Sequence, residues 1–323
     1  LSMGGTGKSP VVAEIARWLV ARGERPAILS RGYGRADAED GVVVVSDGTR
    51  VLASLDRAGD EPLMLARQVP GAIVCVSPDR YLAGTLAERR LGCTIHVLDD
   101  GFQHIDLHRT LDILVTTVGE IPQGRVIPAG RLREPADAAS RAHVLVVSGA
   151  TAGAATAEAW ALGISLSCGA TRTLGAPIAV DVRNDSTVRR GGSLDPPDPP
   201  DPPSGTIVAV AGIAHPEQFT ASLTEAGWRV AASIAFPDHH RYSRADVDRI
   251  AVAVREAGAG SVFTTEKDAV RLEAFAPFPF PLYRVPLRLQ FEPPETLFDS
   301  IRVVIESDGG RPTAEGGRPG APA

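Results

Sequence analysis

Gly4-Gly5-Thr6-Gly7-Lys8-Ser9-Pro10, near the start of the chain, brings together residue types suited to holding phosphate. Glycines let backbone N–H groups converge on phosphate oxygens, a lysine adds a mobile cation, and a serine hydroxyl can ligate Mg²⁺. The usual phosphate-loop pattern has a further glycine five positions before Gly7, where this chain has Ser2. It also has an apolar strand leading in, to which only Leu1 could belong. Either the match is fortuitous, or the loop lacks the strand that should hold it. The next segment favours a genuine loop. Pro10 suits the first turn of a helix, where its missing N–H is no loss. Val11, Ile15 and Leu19 form an apolar stripe at helical spacing, and Gly23 is a good stop.

Other residues could complete phosphoryl-transfer chemistry. Ile95–Leu98 reads as a strand ending in Asp99-Asp100-Gly101. Alone that triplet is a common turn; beside a phosphate loop, such carboxylates hold Mg²⁺ or its water shell. Asp60 and Glu61 stand at the start of a helix, where Asp60 is either a plain N-cap or a proton acceptor for an attacking hydroxyl. Asp238-His239-His240 lies in a loop far downstream, and at most one of the two histidines is expected to enter a cleft. A histidine facing a carboxylate of the first unit would make a dyad across the groove. Ser30–Arg35, which includes Tyr33, and Gly130–Pro135 are arginine-bearing loops that suit anionic substrates, or are simply solvated.

These residues need a scaffold. Apolar runs at 27–29, 42–46, 73–76, 95–98, 113–117 and 144–147 alternate with helical stretches near 61–68 and 79–91. That pattern predicts an α/β lobe of the P-loop NTPase kind with a mostly parallel sheet, whose ligands bind where strands end and helices begin. A smaller α/β lobe follows, with strands expected at 207–211, 229–234 and 261–265 and a capping box at Ser243–Asp246. The expected division is 1–150 for the kinase lobe, 151–205 for a linker with strands and a Pro-rich spacer at 195–203, 206–305 for the C-terminal lobe and 306–323 for a disordered tail. An apolar fraction of 44% over 323 residues indicates a substantial core. Three widely spaced cysteines give no support for a disulfide framework or zinc site. A net charge of −6 argues against general nucleic-acid binding.

Taken in order, GGTGKSP (4–10), LSRGYGR (29–35), GDEP (59–62), PDR (78–80), LDDGFQH (98–104), IPAGRLREP (127–135), AGIAHPEQF (211–219), FPDHHRYS (236–243) and TTEKDAVR (264–271) resemble the tetraacyldisaccharide 4′-kinase (lipid A 4′-kinase) family. The resemblance extends over roughly residues 4–290. It implies transfer of the ATP γ-phosphoryl group to the 4′-hydroxyl of a tetraacylated glucosamine disaccharide 1-phosphate, forming the lipid IV-A type intermediate. ATP and Mg²⁺ are the implied cofactors. The implied place is the cytoplasmic face of the bacterial inner membrane, with the protein peripheral to it.

Carried over by position, Gly4, Gly5, Thr6, Gly7, Lys8 and Ser9 match the nucleotide loop. Ser9, Glu61, Asp99 and Asp100 match the metal side, with Ser9 standing where threonine is more frequent. Asp60 and His239 match the family's base dyad, with Lys8 on the phosphates. His104, Arg133, Glu134 and Tyr33 fall in blocks that line the substrate groove. The family's N-terminal membrane-reaching helix and entering strand have no counterpart in this sequence. Two other readings follow from the residues themselves: a P-loop ATPase or switch with no lipid acceptor, and a truncated, inactive chain.

Overall fold

The computed structural model describes residues 1, 7–32, 41–180 and 205–307. Gly4, Gly5, Thr6, Tyr33, the Pro-rich tract and the tail beyond 307 lie outside these residues.

The chain opens with helix α1 (Lys8–Val20), then β1 (Pro26–Ser30), β2 (Val43–Asp47), α2 (Leu55–Ala58), α3 (Asp60–Gln68), β3 (Ile73–Val76), α4 (Arg80–Leu91) and β4 (Ile95–Leu98). These build a sheet of order β2-β3-β1-β4, in which β1 runs parallel to β3 and β4, and β2 antiparallel to β3. Strands β1 and β3 are near-continuous apolar runs because both of their faces are covered. Val74 and Val76 pack with Val12, Ala16, Leu63 and Leu65 of α1 and α3. Ile73 and Cys75 turn the other way, to Ala83 and Ala87 of α4.

A second sheet is formed by β5 (Ile113–Thr117), β6 (Val144–Ser148) and β7 (Leu166–Leu174), all parallel, with helix α5 (Ala152–Ala161) between the last two. The third sheet belongs to the C-terminal lobe and runs β10-β9-β11-β12-β8. Its elements are β8 (Ile178–Ala179), β9 (Thr206–Ala211), α6 (Pro216–Glu225), β10 (Arg229–Ala235), α7 (Arg244–Glu256), β11 (Ser261–Thr265), α8 (Glu266–Leu272) and β12 (Leu282–Val285). Alternation along β9 splits this core. Val208 and Val210 pack with Val247 and Ile250 of α7, and Ile207 and Ala209 with Phe219 and Leu223 of α6.

The chain then returns to the first lobe, and the expected boundaries must be redrawn. Strand β13 (Leu287–Glu292) pairs antiparallel with β7, and helix α9 (Pro294–Ser307) follows it. Leu297 and Ile301 of α9 are buried with Val11, Ile15 and Leu19 of α1, and Phe298 stacks on Trp18 at 5.1 Å. The stretch expected as a linker from 151 therefore carries α5 and β7 of the kinase lobe, and residues 287–307 belong to that lobe as well. The cause is the open edge of β7, whose backbone groups need partners that only a strand from far along the chain supplies.

Between the first two sheets, β4 and β5 are edges not bonded to each other among the described residues. A cleft of about 780 Å³ opens there, lined by Lys8, Ile15, Val97, Asp100, Ile113 and Val115.

The capping box at the start of α7 forms in both directions. Ser243 Oγ accepts from Asp246 N, and Asp246 Oδ2 accepts from Ser243 N at 2.8 Å. Burial opposes ionisation of Asp246, but the Ser243 hydroxyl and then His240 outweigh it and hold the carboxyl below its ordinary value. A carboxyl depressed in the folded state stabilises fully above its unfolded value of about 3.9, and loses that contribution as pH falls through the folded one. Ser243→Ala is accordingly expected to cost about 1 kcal/mol at neutral pH. The cost should shrink at pH 3, as read from paired urea denaturation curves.

Candidate active site

The phosphate loop delivers its last residues to the N-terminus of α1. Gly7 caps that helix with φ 87°, a left-handed conformation. A Cβ there would lie 3.3 Å from Ser148 Oγ at the end of β6 and 3.7 Å from Arg172 Nη2 on β7. Strain and crowding together reserve the position for glycine. Lys8 and Ser9 occupy the first turn, where free N–H groups and the helix dipole favour an anion. Arg172, set beside the loop by strand β7, is a cation that sequence reading missed.

The two aspartates after β4 separate into different roles. Asp100 takes a left-handed conformation, φ 55°, and points its oxygens at cations: Lys8 Nζ at 3.6 Å and Arg133 Nη1 at 2.7 Å. Burial works against its charge, but Lys8 and Arg133 prevail and hold its carboxyl below the usual range. Asp99 is 6% exposed. Burial, followed by repulsion from Glu61 and Asp100, pushes its carboxyl up to about 7 against the pull of Lys8 and Arg80. A carboxylate so crowded by like charge is one that an added cation relieves.

No group of three or more His, Cys, Asp or Glu among the described residues could enclose a metal. A cation here would need phosphate oxygens and water to complete its shell, which is how Mg²⁺ is usually held. The oxygen donors Ser9, Asp99 and Glu61 fit such an ion chemically, whereas Asp100 is already committed to Lys8 and Arg133.

The residues expected on the substrate side form a knot between two loops. Arg133 Nη1 also donates to Gln103 Oε1 at 3.2 Å, and Gln103 Nε2 donates to Glu134 Oε1 at 2.8 Å. Burial, then Arg80, Arg31 and Arg109, push the His104 imidazole below its usual value and favour the neutral ring. Arg80 itself is buried, with its Nε lacking a hydrogen-bond partner.

Asp60 and His239 come from different lobes, 179 positions apart, and meet at 3.0 Å between Oδ2 and Nδ1. Gly59 occupies the N-cap of α3, so Asp60 is not the cap: it is the first helical residue, and its Oδ1 accepts from Glu61 N at 2.9 Å. His239 follows β10 in a tight turn with φ 58°. Its neighbour His240 goes elsewhere, stacking on Phe236 at 4.6 Å and bonding Asp246. Only one of the two histidines faces the carboxylate.

Two cations of α8, Lys267 and Arg271, complete the cluster and were not singled out from sequence. Arg271 is ion-paired to Asp60 Oδ2, and also reaches Asp268 Oδ1 at 3.2 Å and Gly212 O at 3.1 Å. Burial disfavours the Asp60 carboxylate, but the bond and charge of Arg271, with Lys267 and His239, override it and hold the group below its ordinary value. The helix that carries them is firmly seated. Asp268, fully buried, accepts from Gly212 N at 2.9 Å and Tyr242 Oη at 3.1 Å. On the other face, Glu266 accepts from Gln68 Nε2 of α3 at 2.6 Å, and Glu273, just beyond α8, pairs with Arg67. Helix α8 thus ties the C-terminal lobe to α3, and through α3 to the phosphate loop.

Comparison with known proteins places this geometry in context. A family model described as Tetraacyldisaccharide-1-P 4'-kinase matches residues 1–306. A Geobacter metallireducens protein named tetraacyldisaccharide 4'-kinase is 44% identical over 273 residues, covering 84% of this chain and 76% of that relative. Its Geobacter sulfurreducens counterpart is 40% identical over 307 residues, covering 94% of this chain and 82% of the relative. Among solved structures, LpxK from Aquifex aeolicus in complex with ATP superposes with a TM-score of 0.72 at 29% identity, covering 94% of this chain and 86% of that one. On a match across nearly its whole length, and on relatives at this identity, the chain belongs to the tetraacyldisaccharide 4′-kinase family.

Proposed function

We propose that this chain transfers the γ-phosphoryl group of ATP to the 4′-hydroxyl of a tetraacylated glucosamine disaccharide 1-phosphate. The observation that carries the mechanism is the Asp60–His239 contact, which joins a carboxylate of the phosphate-loop lobe to an imidazole of the other lobe. Continuity of charge supports it. Lys8 pairs with Asp100, Asp99 feels Glu61, and Glu61 lies 3.6 Å from Lys267, beside His239. The site therefore runs unbroken from phosphate loop to dyad.

Phosphoryl transfer asks the protein mainly for positioning and charge. The α1 N-terminus, Lys8 and Arg172 would hold the nucleotide phosphates. Asp60, kept ionised by Arg271, would accept the hydroxyl proton, with His239 orienting it. Ser9, Asp99 and Glu61 would hold Mg²⁺, which neutralises phosphate charge when bound. Arg133, His104 and Glu134 would meet the acceptor.

The loops that carry His104 and Arg133 also expose Ile105, Val126 and Ile127, apolar surface suited to acyl chains at a bilayer. No helix among the described residues is long and apolar enough to cross a membrane. The family resemblance implies a site at the cytoplasmic face of the bacterial inner membrane, where ATP is available, and this apolar surface would be the part of the described residues that meets the bilayer.

The test is ATP-dependent conversion of the disaccharide 1-phosphate to its 4′-phosphorylated product in mixed micelles. Product formation with little hydrolysis in the absence of acceptor is the expected result. Rapid acceptor-free hydrolysis with no lipid product would favour the ATPase reading instead.

A further inference from the structure

Only two of the 33 Lys and Arg side chains in this chain are lysines, Lys8 and Lys267. Every other one is an arginine. Lysine retained in so arginine-rich a chain marks a place where a compact ammonium on a slim stem does what a planar fork does not. Lys8 is such a place, in the phosphate loop. Lys267 is the other.

Its surroundings say what the ammonium does. Lys267 Nζ lies 3.2 Å from His239 Nε2, 3.3 Å from Asp238 Oδ1, 3.6 Å from Glu61 Oε1 and 4.0 Å from Asp60 Oδ2. Its side chain is 15% exposed, so this is a held position rather than a trailing surface charge. An ammonium only donates, hence His239 Nε2 must accept. Nδ1 lies 3.0 Å from the acceptor Asp60 Oδ2 and 3.4 Å from the donor Arg271 Nη2; the shorter contact, together with Lys267 on Nε2, puts the ring proton on Nδ1.

The backbone needs the same support. His239 sits at φ 58°, a region that residues other than glycine seldom adopt. Its N–H donates to Asp238 Oδ1 at 2.9 Å, the same oxygen that Lys267 reaches. One ammonium braces both the strained turn and the ring it presents.

We propose that Lys267 is a positioning residue for phosphoryl transfer: it fixes the Nδ1–H tautomer of His239 and holds the ring against Asp60 across the two lobes. The proposal rests on Asp60 and His239 being the base pair. An arginine would keep the charge opposite Glu61 and Asp238, but its broad fork would not set a single donor on Nε2.

The experiment measures kcat and KM for Lys267→Met, Lys267→Arg, His239→Ala and the Lys267→Met/His239→Ala double variant, with thermal midpoints recorded alongside. Lys267→Met should lower kcat about 50-fold and leave the KM for ATP within about threefold. Lys267→Arg should remain more than about tenfold slow although it keeps the ion pairs. In the His239→Ala background, Lys267→Met should add less than about threefold, since a residue that acts through His239 has nothing left to act on.

Wild-type kcat in Lys267→Arg, or losses that multiply in the double variant, would overturn the proposal. If His239→Ala is itself fully active, the base-pair reading fails and this proposal falls with it. If His239→Ala is slow and Lys267→Met is not, the proposal alone fails. Should Lys267→Met not fold, Lys267→Arg decides, because it preserves the charge that the neighbouring carboxylates need.

Discussion

Asp60→Ala is expected to lower kcat about 1000-fold with little change in the KM for ATP. A positioned general base contributes roughly 10²–10⁴ in rate, and the loss should fall on the chemical step rather than on nucleotide binding. The geometry explains why no neighbour can substitute. Glu61 points to Lys267, Asp238 is engaged with Lys267 and with the backbone of His239, and His239 already directs Nδ1 at Asp60. Removing the carboxylate also leaves Arg271, 6% exposed, without one of its acid partners. Breaking a buried pair costs about 3–5 kcal/mol, so rates must be compared well below the lowered melting point. Asp60→Asn separates the two effects: it keeps the volume and one acceptor oxygen but cannot take a proton. Steady-state kinetics on both variants check the assignment, and undiminished turnover in Asp60→Asn would remove Asp60 from the base role.

Lys8→Ala is the second large effect, expected at about 1000-fold in kcat/KM for ATP. Unlike Asp60, Lys8 touches both ground and transition states, since phosphate charge is present before and during transfer. Both parameters should therefore move, with KM for ATP rising and kcat falling. Loss of Lys8 also removes one of the cations that Asp100 faces and leaves more of its negative charge beside the phosphates. Lys8→Arg should not restore activity, because a guanidinium on the first turn of α1 cannot follow the phosphoryl group as a compact point charge does. Isothermal titration with a non-hydrolysable ATP analogue separates the binding loss from the rate loss. Unchanged affinity and turnover would show that the α1 N-terminus and Arg172 suffice.

Both lobes were legible from local pattern. Apolar runs such as Ile73–Val76 and Ile207–Ala211 are buried on both faces and read as strands without tertiary information. The Ser243–Asp246 capping box and the stripe on α1 depend on contacts within one or two turns, and these also form as read. The lobe boundary was not legible. That β13 pairs with β7 depends on an edge more than 110 residues away, and nothing in Leu287–Glu292 itself names that partner. The differing fates of Asp99 and Asp100 were likewise hidden. Two identical adjacent side chains become an ion-paired carboxylate and a buried, charge-crowded one only through what surrounds them.

Lys267 and Arg271 mark the limit most clearly. TTEKDAVR (264–271) entered only as one of the blocks of the resemblance, with no role for its cations; that Lys267 is one of two lysines was the available signal. By itself, the sequence determined the α/β elements and put forward the phosphate loop and the proposed reacting groups, because these depend on residue type and short spacing. The resemblance already pointed to His239; only the tertiary structure decided that His240 turns away to Asp246, that Arg271 pairs with Asp60 and that Lys267 faces Nε2. Those choices are made by α8 packing on α3 across the lobes, and distances between remote segments are set by how the whole core closes, not by local sequence.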